Sequence, residues 1–118
     1  METSAQVQTL AGRFAACTKM LSAIGDETRQ HLILEMMQIG KCSGVRVGEI
    51  TQKTNLSRPA VSHHLKIMKE AGIVKVRREG TKNFYYFDPG TETLGQLIET
   101  LQLACELSKE LPNREEAE

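Results

Sequence analysis

The chain has no net charge: fifteen Lys and Arg stand against fifteen Asp and Glu. Taken alone, that speaks against a nucleic-acid binder, which ordinarily shows a basic excess. No run of 18 apolar residues occurs, so no membrane-spanning helix is expected. Met1 to Gln8 has neither a basic stretch nor an apolar one, so no secretory leader is expected. The three cysteines are odd in number and lack a Cys-x-x-Cys pair. That argues against a disulfide framework and points to a reducing cytoplasm. There is no internal repeat and no low-complexity segment. No Gly-rich phosphate loop, paired carboxylate site or nucleophile–base–orienter set is visible, so an enzyme is not expected.

What is present fits one domain. A chain of 118 residues, 40% hydrophobic and 25% charged, is too short for a multidomain enzyme and apolar enough to build a core. Its charge is unevenly spread. Residues 56–85 hold seven basic residues against two acidic ones, a net of +5. Residues 86–118 hold two basic against eight acidic, a net of −6. A basic segment followed by an acidic one suggests an anionic partner for the first.

Hydrophobic periodicity divides the chain into elements. Val7, Leu10, Ala11, Phe14, Cys17 and Leu21 recur at helical offsets and predict one helix over 7–22. Asp26 is placed as the N-cap of a second helix. Leu32 to Ile39 is apolar on most sides, which predicts a central helix with Met36 and Met37 inside and His31 structural. Gly40 to Gly44, containing Cys42, reads as a loop. A helix-turn-helix follows over 46–71: a short helix, Asn55 as a left-handed helix end, Leu56 plugging the corner and Ser57 as N-cap of the next helix. Pro59 suits the first turn of that helix, Val61, Leu65 and Met68 form its inner stripe, and Gly72 stops it. Residues 73–87 switch to a strand-like pattern around a Gly-containing tip and predict a β-hairpin wing. Residues 92–110 return to helix, with a frayed tail over 112–118. The expected fold is mainly α with a β-hairpin wing, a winged helix-turn-helix.

In such a fold the second helix of the helix-turn-helix enters the major groove. The expected DNA-facing set is Ser57, Arg58, Pro59, Ala60, Ser62, His63 and Lys66 from that helix. Arg77, Arg78 and Lys82 join them from the hairpin tip. Arg58 is assigned bidentate contact with guanine; Ser57, Ser62 and Lys66 are assigned phosphate or mixed contacts. His63 points outward, whereas its neighbour His64 lies nearer the inner stripe and reads as structural.

The segments Ala23–Arg29, Leu56–Val74 and Arg77–Gly80 together resemble the ArsR/SmtB family of bacterial repressors. The resemblance covers about residues 20–90. It implies a homodimer joined by the first and last helices, a palindromic operator, and release by an effector. It also locates the family's two familiar metal sites. One uses a Cys-x-Cys where Arg46 and Gly48 stand. The other uses His and Asp on the last helix, and residues 91–111 contain neither. No metal or other cofactor is therefore expected. Cys17 and Cys105, on the apolar stripes of the first and last helices, are the sensing candidates for a thiol or redox effector. Their other reading is that of small apolar packers. A winged helix used only for protein–protein contact is the remaining alternative.

Overall fold

The computed structural model describes residues 2–40 and 44–111. The expected tail over 112–118 and the loop containing Cys42 lie outside them. The elements are α1 (Glu2–Ala16), α2 (Thr18–Ile24), α3 (Glu27–Ile39), α4 (Val47–Lys53), α5 (Arg58–Glu70), β1 (Val74–Glu79), β2 (Lys82–Phe87) and α6 (Gly90–Lys109). The strands form an antiparallel hairpin in which Val74 faces Phe87 and Glu79 faces Lys82. Val45 bridges Tyr85 through a reciprocal pair of backbone hydrogen bonds of 2.7 and 2.8 Å, so the segment before α4 adds a short third edge to the wing.

Local chemistry sets most boundaries. Asp26 accepts the Arg29 backbone N–H at 3.0 Å and Ser57 Oγ accepts that of Ala60 at 3.2 Å, each capping its helix. The end of α5 is a Schellman turn: Gly72 N–H reaches Lys69 O, Ile73 N–H reaches Met68 O, and Gly72 takes φ +82°. Gly80, with φ +61°, opens the two-residue tip between β1 and β2.

The core joins α2, α3, α4, α5 and the wing. Leu32 and Met36 of α3, Ile50 of α4, Val61, Leu65 and Met68 of α5, and Val74 of β1 are all buried in it. Burying that stripe of α5 turns its opposite side outward.

Three expectations are corrected. The first helix is two helices, broken at Cys17, because its halves have different partners: α1 packs on α6 and α2 on α5. Cys17, Met20 and Ala23, three residues apart, are buried. Asn55 does not adopt a left-handed conformation; no described non-glycine residue does. Instead α4 closes on Thr54, whose hydroxyl donates to Ile50 O at 3.0 Å and lies 3.4 Å from the Leu56 N–H. Finally, α3 is buried along one stripe only. Leu34 sits two residues from both Leu32 and Met36, roughly 200° around the helix from either. It is exposed, as are His31 and Met37.

Packed against the core at one end, α1 and α6 form a projecting arm. The molecule measures 60 × 27 × 22 Å with a radius of gyration of 18.5 Å. A compact domain of this length would have one of about 13.5 Å.

Candidate nucleic-acid interface

The outward side of α5 carries Arg58, Pro59, Ser62, His63, Lys66 and Lys69, all exposed. Ala60 is half-buried, and the Ser57 hydroxyl is engaged as the cap. Such a face has the shape and charge to lie in the major groove.

Arg58 is exposed on α5, as the sequence places it. Its Nη1 lies 3.2 Å from where a Cβ on Gly48 would stand, so the guanidinium leans back over the first turn of α4. It lines a groove of about 230 Å³ between α5 and the hairpin, together with Arg46, Ser62, Thr81 and Asn83.

The three hairpin cations separate by strand alternation. Arg78 shares a face with Asn83, Val76 and Tyr85, the face that continues into the core. Its Nε donates to Gly80 O at 3.0 Å across the tip. Arg77 and Lys82 lie on the other face with Phe84. Arg77 stacks on Phe84, 4.7 Å from the ring centroid, and pairs with Glu79 at 2.8 Å. It is half-buried and serves as a structural strut of the wing.

His64 lies on the inner flank of α5, as expected. It meets Arg29, which the sequence reading had not singled out. Arg29 is buried on α3 and donates to Ala23 O at 2.8 Å and Ser22 O at 3.0 Å. Its Nη1 lies 3.3 Å from His64 Nδ1. Burial lowers the His64 pKa, and the charges of Arg29 and His63 push the same way against Asp26. The Asp26 carboxyl is also held below its ordinary value, chiefly by the Arg29 backbone N–H. The spacing Asp26-x-x-Arg29 was the available signal, because it puts the cap and the guanidinium on one turn.

Arg46 is the second residue that sequence reading missed. Its guanidinium lies 5.5 Å from the Phe84 centroid, on a ring that also carries Arg77. No local pattern reveals this, because the partner is 38 residues away.

The sensing candidates are not brought face to face within the chain. Cys17 is buried, with Sγ 3.2 Å from Arg13 O and 3.8 Å from Thr100 Oγ1. Cys105, five residues beyond Thr100, is exposed. Cys17 also borders a cleft of about 470 Å³ with Met20, Glu70, Thr93 and Gln96. Among the described residues, no three His, Cys, Asp or Glu side chains cluster closely enough to hold a metal ion. No helix among them is long and apolar enough to cross a membrane.

A capped helix-turn-helix, a cation-bearing outward helix and a two-stranded wing define a winged helix-turn-helix DNA-binding protein. Residues 26–76 match the family described as bacterial regulatory protein, arsR family. The chain is 34% identical over 90 residues to an uncharacterized HTH-type transcriptional regulator of Methanocaldococcus jannaschii, covering 75% of this chain and 98% of that one. It is 35% identical over 79 residues to the transcriptional repressor SdpR of Bacillus subtilis, covering 67% and 81%. A solved ArsR-like transcriptional regulator from Rhodococcus sp. RHA1 shares the fold with a TM-score of 0.69 at 22% identity, over 85% of this chain and 87% of that one. The chain belongs to the ArsR family and is a DNA-binding transcriptional regulator, a non-enzymatic role.

Proposed function

We infer that the protein is a homodimeric repressor that occupies a two-fold symmetric operator and leaves it when an effector binds. The observation that carries the dimer is the bare apolar face of the arm. From Ser4 to Ala16, Leu10 alone is even half-buried. Val7 is 50% and Phe14 38% exposed, and Ile98 and Leu101 of α6 are 55% and 50% exposed. A 15-residue helix is marginal in water without packing. A second copy covering both helices supplies that packing. A solved Mycobacterium bovis winged helix-turn-helix domain of this fold is homodimeric (TM-score 0.52, 22% identity, covering 86% of this chain and 83% of that one).

Pairing through the arms sets two α5 helices on one side of the dimer, suited to half-sites about 10 bp apart or a multiple of that. Ser62, His63 and Lys66 are the base-facing and groove-facing side chains, with Pro59 in the first turn. Release by an effector requires that it bind the low-affinity conformation better than the DNA-bound one. The place of work is the cytoplasm, beside the DNA. No resident cofactor is part of this reading.

The test is operator selection from random duplex DNA, followed by affinity measurements over a range of KCl. A palindromic consensus bound by a dimer, with log K falling steeply against log salt, is expected. Weak, salt-insensitive binding would favour a protein–protein module instead.

A further inference from the structure

Two guanidinium groups line one groove with no acid on its walls. Arg46 and Arg58 border it with Ser62, Thr81 and Asn83. Neither arginine makes an ion pair among the described residues. Glu49, the acid of the first turn of α4, turns elsewhere. Its carboxylate accepts the Arg46 backbone N–H at 3.0 Å and borders a hollow with Glu35 and Gln52. Two features hold the cations in place. Phe84 lies under the Arg46 guanidinium at 5.5 Å, tying it to the wing. Gly48 leaves open the space beside Arg58 Nη1, where a Cβ would stand only 3.2 Å away.

Like charges at such a site repel unless an anion joins them. Guanidinium forks match the oxygens of a phosphate, and Ser62, Thr81 and Asn83 supply further donors. The groove also runs between the helix that enters the major groove and the wing beside it, where a strand of the duplex must pass. We propose that this groove seats one phosphate of the DNA backbone, with Arg46 and Arg58 as its clamp. Arg58 is then a backbone contact rather than a reader of guanine. The proposal rests on the DNA-binding reading above and adds a residue pair and a role to it.

The test uses the full chain, the selected operator and an unrelated duplex of the same length, each over a KCl series. Arg46→Gln is expected to weaken both duplexes about tenfold and to flatten the salt slope by about one. Arg46→Lys should restore the slope, because the charge returns. Gly48→Ala keeps every charge and favours helix. It should fold at least as well as the wild type yet weaken both duplexes several-fold by displacing Arg58. Arg58→Ala should leave the ratio of operator to unrelated affinity unchanged.

An unaltered salt slope in Arg46→Gln would overturn the clamp while leaving the DNA reading intact. So would Arg58→Ala if it collapsed the ratio at constant affinity for unrelated DNA. If the wild type binds neither duplex in a salt-dependent way, the wider reading falls and the clamp with it. Inorganic phosphate, added at constant ionic strength, tests the other source of the same chemistry. Displacement of the duplex by low-millimolar phosphate from the wild type, and not from Arg46→Gln, would give the groove to free phosphate and overturn the DNA seat.

Discussion

Arg29 donates to His64: Nη1 and Nδ1 are 3.3 Å apart, and a guanidinium has no lone pair to accept with. His64 therefore faces Arg29 as a neutral imidazole with its proton on Nε2. Its pKa is lowered from an ordinary 6.5, first by burial and then by Arg29 and His63. The unfolded chain thus binds the proton more readily than the folded one. Stability is greatest above pH 6.5 and declines as pH falls from there to the lowered folded value. Urea unfolding at pH 7.5 and pH 5 should show that decline, and His64→Gln should remove this part of it. An equal decline in His64→Gln would show that His64 is not its source. Asp26, with its pKa lowered from 3.8, adds a second loss at more acid pH, since its stabilisation is present only above that range.

The same turn is sensitive to truncation. Asp26→Ala removes the cap of α3 and should lower its stability. Arg29→Leu should cost more, about 2 kcal/mol or above, because the buried Ala23 carbonyl then loses its side-chain donor. Arg29→Lys should recover little, as one ammonium cannot span Ser22 O, Ala23 O and His64 together. Chemical denaturation ranks the three. A cost for Arg29→Leu below that of Asp26→Ala would contradict the buried network.

Gly44 is required by its surroundings. It takes φ +91°, and a Cβ there would meet Tyr85 O at 3.0 Å and Phe84 Cβ at 3.1 Å. Gly44→Ala should cost roughly 1–3 kcal/mol and loosen the Val45–Tyr85 bridge. Hydrogen exchange at the Tyr85 amide, which donates to Val45 O at 2.8 Å, reads this directly. Gly80→Ala makes a useful comparison: its φ is also positive, but nothing lies within 4 Å of a Cβ there. It should be the milder change.

The arm should control assembly. Phe14→Glu or Leu101→Glu places a charge on the bare face of α1 or α6. Burying a large apolar side chain contributes about 1.5–3 kcal/mol, and each dimer contains two copies. The dissociation constant should therefore rise at least a hundredfold. Sedimentation velocity would show a dimer becoming a folded monomer, with the circular dichroism of the core retained. A wild-type chain that sediments as a monomer at all concentrations would end the dimer reading.

Thiol chemistry separates the two described cysteines. In a Cys42→Ser background carrying Phe14→Glu, which leaves the arm uncovered, Cys105 should react with Ellman's reagent as a free thiol, and Cys17 at least ten times more slowly because it is buried. Diamide should yield no Cys17–Cys105 bond within one chain. Thr100 already faces Cys17, and Cys105 lies five residues on, about 7.5 Å further along α6. Peptide mapping that finds such an intrachain bond would revive these cysteines as a redox pair.

The opening balance of fifteen charges of each sign concealed its arrangement, and sequence order was enough to undo that. The basic segment over 56–85, the caps at Asp26 and Ser57, the stop at Gly72 and the Gly-containing hairpin tip were all legible. Each is a contact between residues a few positions apart, or a periodic pattern that repeats locally. Tertiary structure decided the rest. It broke the first helix at Cys17, because α1 and α2 answer to different neighbours. It buried Arg29 beneath His64, drew Arg58 back over Gly48, placed Phe84 beneath both Arg46 and Arg77, and left Met37 in water. None of these follows from spacing, since each depends on which distant element fills the space beside a side chain. The sequence determined that there would be a winged helix-turn-helix with a basic face; packing determined where its cations point.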